Sequence, residues 1–167
     1  MKTVKWLNDI INKGLLCEEY TEKVNLAHSK KQIFDICADS NGISFLAEMR
    51  EKGYPLSYDT IKEEFEKYLN GRYKPMFTTP MGGSYSSSIY CDYDKECDIV
   101  VDTTVCSLLS CHNEVWVQQF NYTRIVLDQE CDIKLYCPIN ARAVVEVYGD
   151  AKVEVVEGIE RVKIRRK

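Results

Sequence analysis

The chain has 167 residues, 45% of them hydrophobic, and a formal net charge of −4. That length holds one medium domain or two small ones with a real core, and without a run of about 18 apolar residues no spanning helix is expected. Asn8, Asp9 and Asn12 interrupt the first apolar stretch, so a secretory signal is not expected and a cytoplasmic location is.

Residues 1–71 read as three or four short helices. Trp6, Leu7, Ile10 and Ile11 form one helical stripe, and Gly14 stands where a C-terminal stop belongs. Residues 17–27 fit a helix only weakly, through Tyr20, Val24 and Ala27. Ser29 with Gln32 three residues on makes a capping box ahead of Ile33, Phe34 and Cys37. Ser40, Asn41 and Gly42 then read as a break. Phe45, Leu46 and Met49 predict a further helix, closed by Gly53 and Pro55. Ser57 is an N-cap for a last one carrying Ile61, Phe65, Tyr68 and Leu69, which Asn70 and Gly71 end. Helices this short need packing to persist.

Residues 73–88 change character. Pro75, Pro80, Gly82, Gly83 and a run of serines around Tyr85 give a polar stretch without period, read as a linker. The expected division is a helical domain over 1–72, a linker over 73–88 and a β domain over 89–167.

The β part is announced by apolar pairs two residues apart: Ile99 and Val101, Val115 and Val117, Ile125 and Leu127, Ile133 and Leu135, Val145 and Val147, Val153 and Val155, Val162 and Ile164. Cys106 and Leu108 fit less well. Alternation marks strands with one buried face. Residues 94–99 and 128–133 both read D-x-E-C-D-I, and internal similarity at fixed spacing indicates stacked repeats. Two turns in that interval would make each about 17 residues long and place Cys97 near Cys131. The fold class is therefore α+β, a small helical domain followed by a β-solenoid of short strands, with a β-sandwich as the alternative.

Phrases such as Tyr68-Leu69-Asn70-Gly71-Arg72-Tyr73, the Tyr90-Cys91 element and Val147-Tyr148-Gly149-Asp150 resemble those of an uncharacterised bacterial and prophage-type family. That resemblance implies the same two-part layout and carries over no activity.

Candidate sites are few. Asp92, Asp94 and Glu96 imitate the start of a calcium loop. Cys97 then stands where the loop needs glycine, and Thr103 where it needs the closing carboxylate. A solvated acidic face is the expectation for these three with Asp98 and Asp102. Cys111 beside His112 suggests a nucleophile, but neighbours on a strand point to opposite faces. Paired carboxylates for polysaccharide cleavage would need a longer groove. Asn121-Tyr122-Thr123 matches a glycosylation acceptor that has meaning only after secretion. The eight cysteines show no C-x-x-C spacing, so free buried thiols are expected rather than disulfides or zinc.

Charge is uneven. Residues 91–160 carry a net −9, whereas Arg161, Lys163, Arg165, Arg166 and Lys167 crowd the last seven positions. Such a cluster either contacts phosphates or protects a sheet edge from open-ended pairing. The expected function is a non-catalytic structural or protein-interaction role, phage- or prophage-related by resemblance. The alternatives are a nucleic-acid accessory protein using the basic tail and, third, a carbohydrate-acting enzyme. No catalytic, cofactor-binding or metal residue is assigned, and no cofactor is expected. The expected partners are further copies of the chain, joined through the helical part, and an unknown protein; no membrane partner is expected.

Overall fold

The structure, a computed structural model, describes residues 1–68, 87–91, 98–128 and 130–167. The chain divides into two compact units, Met1–Leu69 and Asn70–Lys167. The fold is α+β: among the described residues, five α-helices and then a β-solenoid.

The helical unit contains α1 (Lys2–Asn12), α2 (Glu18–Leu26), α3 (Lys30–Ala38), α4 (Ser40–Glu51) and α5 (Tyr58–Phe65). The starts of α3, α4 and α5 follow the capping chemistry. Ser29 accepts from the Gln32 amide at 3.2 Å, and Ser57 from that of Thr60 at 3.3 Å. Gln32 reaches back to accept from the His28 amide at 2.8 Å. The segment read as a break is instead the start of α4. Asp39 ends α3 and caps α4 in one step, accepting from the Gly42 amide at 2.6 Å and from the Tyr20 hydroxyl at 2.6 Å. Leu7, Ile10, Ile33, Phe34, Ile43, Ala47, Met49, Ile61 and Phe65 make this unit's core.

Among the described residues, the β unit has nine strands in two parallel sheets. The first contains β1 (Ser87–Cys91), β3 (Val105–Leu109), β5 (Tyr122–Asp128), β7 (Arg142–Val147) and β9 (Val162–Arg166), in that order. The second contains β2 (Ile99–Val101), β4 (Glu114–Val117), β6 (Asp132–Tyr136) and β8 (Lys152–Glu157). The chain alternates between sheets at each turn, and every pairing is parallel. This is a solenoid and not a sandwich of hairpins, since short turns can join parallel strands only by way of the opposite sheet.

Six of the seven predicted pairs pack in or against the core, as do Val162 of the last pair and the fully buried Cys106 and Leu108, while Ile164, in register with Val145, is exposed. The coil length differs from the expectation. Glu114 pairs with Lys134, Tyr122 with Arg142 and Asp132 with Lys152, a step of twenty residues. Elsewhere the step is shorter: sixteen from Ile99 to Val115, eighteen from Ser87 to Val105, and nineteen from Val105 to Arg124 and from Ala143 to Val162. Ile99 therefore lies in line with Val115 and Leu135, two residues away from Ile133, and the D-x-E-C-D-I similarity is out of phase with the coils. A two-residue offset preserves the inward face, which is why the pairs were legible while the period was not. Cys131 stacks on Cys111, whose amide donates to its sulfur at 3.4 Å. Cys97 lies outside the described residues.

The true repeat is written in the turns. The amides of Asn121, Ala141 and Arg161 donate to the carbonyls of Gln118, Pro138 and Gly158, at 3.1, 2.9 and 2.8 Å. Three equivalent turns thus stack along one edge of the solenoid. Asn121 also ties its turn to the coil before it. Its side-chain amide donates to the carbonyls of Val101 at 3.2 Å and Thr103 at 3.0 Å. Asn121→Ala should lower stability by about 1–2 kcal/mol, the net value of two such bonds, seen as a lower urea midpoint with unchanged slope. No change in midpoint would mean that the turn is held by its backbone alone.

Candidate interaction surface

The two sheets differ on their outer faces. On the five-stranded sheet, Ser107, Leu109, Val126, Asp128, Glu146 and Tyr148 point away from the core, yet all are buried. Glu146 lies between Arg124 and Arg165, 3.6 Å from each. On the four-stranded sheet the outer rows are open: His112, Asp132 and Lys152 form one, and Glu114, Lys134 and Glu154 the next. Beside them Trp116 and Tyr136 stack face to face, with centroids 4.0 Å apart and planes within 7°. The Tyr136 hydroxyl donates to Glu114 at 3.2 Å. A shallow depression of about 390 Å³ runs over His112, Asn113, Glu114, Asp132, Lys134 and Glu154. Charges of both signs in register neutralise one another along this face.

The stacked turns form a second surface. Ile139 and Ile159 occupy equivalent positions in successive turns and are 75% and 74% exposed. Phe120, in the turn before them, is 65% exposed, and its backbone has a positive φ of 62°. Tyr122 is also exposed, where the chain leaves that turn. Large apolar side chains repeated at one turn position contribute nothing to the core. Exposed apolar groups gathered in this way are the mark of a contact surface.

The residues singled out from sequence fall as follows. Asp92, Asp94 and Glu96 lie outside the described residues, while Asp98 is exposed and Asp102 half-buried. Among the described residues, no group of three metal-ligating side chains comes together. Cys111 is fully buried and His112 exposed, on opposite sides of the chain. Among the six cysteines whose side chains are described none is paired, and all but Cys17 are buried. Burial pushes the Cys37 thiol up to about 12 and raises that of Cys106 as well. The hydrogen bond from Cys111 outweighs burial at Cys131 and lowers its thiol below the usual range. Cys37, Cys106 and Cys131 are buried, so they act as core side chains. Thr123 of the glycosylation match is buried in the solenoid.

The basic cluster is strand rather than tail. Arg161 donates from Nε and Nη2 to the Cys137 carbonyl, at 3.1 and 2.8 Å, and pairs with Glu160. Arg165 meets Glu146, whereas Lys163, Arg166 and Lys167 stay exposed on or beside β9. Among the described residues, no helix is long and apolar enough to cross a membrane.

Comparison with protein-family models, curated proteins and solved structures finds no match to this chain.

Proposed function

We propose that the chain is a non-catalytic interaction protein whose solenoid is a rigid ruler for a partner protein. The observation that carries this reading is the exposed apolar strip of Phe120, Ile139 and Ile159 on stacked turns. Parallel ladders fix the spacing between coils at about 4.8 Å, so the strip is presented without loss of conformational freedom on binding. The partner would bring an apolar ridge or an extended segment to this edge, and the half-buried Trp116–Tyr136 stack lies on the adjoining sheet. The nucleic-acid reading is weaker, because Arg161 and Arg165 already serve carbonyl and carboxylate groups of the solenoid. A phage or prophage setting rests on the sequence resemblance alone.

The test is affinity capture from the native host with the full chain and with a variant carrying Phe120→Ser, Ile139→Ser and Ile159→Ser. These side chains touch solvent, so the variant should fold. Wild type should retain a protein that the variant loses. Recovery of the same proteins by both would overturn the assignment, as would recovery of nucleic acid alone.

A further inference from the structure

The C-terminal end of the solenoid has the make-up of an interface. Among the described residues, β8 pairs with β6 alone and β9 with β7 alone, so within them each carries one row of unpaired backbone groups. The inward residues of this last coil are less covered than those before them. Leu135 is fully buried, whereas Val153, Val155 and Val162 are half-buried and Ile164 is 42% exposed. An open edge above a partly wet apolar core pairs with another strand unless something prevents it.

We infer that this edge takes a second copy of the same chain, with β9 of each protomer pairing antiparallel to β8 of the other. Turns of about four residues are too short to return the chain to the end where a strand began. Consecutive strands therefore run in opposite directions, and so β8 and β9 run opposite ways. Two solenoids meeting end to end can be related by either of two twofold axes. An axis along the sheet normal brings β9 onto β9 and β8 onto β8. An axis along the strands, midway between the sheets, brings β9 onto β8 twice and makes both pairings antiparallel.

Charge decides between them. β9 bears Lys163, Arg165 and Arg166 and no acid, whereas β8 bears Glu154 and Glu157 against one cation, Lys152. Pairing β9 with itself faces cation to cation; pairing it with β8 faces cation to carboxylate. The favoured axis closes the assembly at two chains and covers both open edges. It also brings the turn edges of the two copies into line, although the inference stands without the role proposed for that edge. The helical unit offers less to a second copy, since its exposed large apolar residues among those described are Met1, Leu26 and Tyr54.

The experiment is sedimentation equilibrium of the full chain at micromolar concentration. Wild type should have twice the chain mass, and high salt should weaken the association. Lys163→Glu with Lys167→Glu should give monomers, as should Glu154→Lys with Glu157→Lys. All four residues are exposed, so each variant should keep the native circular dichroism spectrum. The fourfold variant restores opposite charges across the interface without altering the net charge, and should recover the dimer. A monomeric wild type would overturn the inference. So would a dimer that survives either paired reversal, or a natively folded fourfold variant that stays monomeric.

Discussion

Ile133→Asp should abolish cooperative unfolding of the solenoid, while Lys134→Asp, one residue on, should leave it nearly unchanged. Ile133 lies on β6 inside the core, between the neighbouring coils of β4 and β8, and is 1% exposed. A carboxylate there would have aliphatic and sulfur neighbours, including Leu135 and Cys131. Burying a charge without a partner costs several kcal/mol, comparable with the ~5–15 kcal/mol that separates folded from unfolded states. Lys134 faces water in the row between Glu114 and Glu154. Its reversal disturbs only an exposed charge pattern, worth about 1 kcal/mol at most. Thermal melting followed by circular dichroism distinguishes the two. Equal losses from both substitutions would show that the strand faces are assigned wrongly.

Gly42→Ala should be the second severe substitution, although alanine is the better helix former. Gly42 lies in the first turn of α4, where α3 and α4 meet at the shared cap Asp39. A Cβ at this position would overlap the Ile36 carbonyl oxygen and sit 2.7 Å from that of Cys37. Both contacts are backbone atoms, which cannot rotate away, so α4 must move off the end of α3. Overpacking of this kind costs about 3 kcal/mol. The shift also pulls on the Asp39 cap and its bond to Tyr20, whose hydroxyl is held protonated by burial and by that carboxylate. A control is Gly53→Ala. There φ is 81° but no atom lies within 4 Å of the added carbon, so only the left-handed backbone strain of about 1–2 kcal/mol applies. Urea midpoints from helical ellipticity should fall further for Gly42→Ala than for Gly53→Ala. The reverse order would mean that the helices part easily at Asp39.

The pattern of inward pairs made the solenoid legible before its coil length. A period of two survives any even error in alignment, so Ile99, Ile133 and the others fall on the correct face even though their spacing misleads. The twenty-residue step is carried by residues that differ in kind. Cys111, Cys131 and Ala151 share one place, and Gln118, Pro138 and Gly158 another. Their likeness is one of backbone geometry, which letters do not record. Val115, Leu135 and Val155 held the signal, as did Trp116 and Tyr136. The buried outer face of the five-stranded sheet was also written in the chain. Leu108-Leu109 and Ile125-Val126-Leu127 break the alternation, as strands do when both faces are covered. In the helical unit, α2 escaped a firm reading because it buries only Tyr20 and Val24. The start of α4 reads as a break in sequence because serine, asparagine and glycine favour turns. The apolar strip at Phe120, Ile139 and Ile159 became visible only once the coils were aligned.

From β4 to β8 the coils repeat every twenty residues, and a pair of deletions that begin within β5 tests that directly. Removing residues 125–144 takes out twenty positions and joins Arg124 to Val145. Val145 inherits the inward place of Ile125, because those two residues are paired in the ladder. Removing residues 125–141 takes out seventeen and puts Arg142 into the same inward place, with Ala143 pointing outward. The measurement is the thermal melt of each protein by circular dichroism. The twenty-residue deletion should keep a β spectrum and a single sharp transition at lowered temperature, while the seventeen-residue deletion should lose both. A twenty-residue deletion that unfolds the chain would contradict the account, and so would a seventeen-residue deletion that melts as sharply.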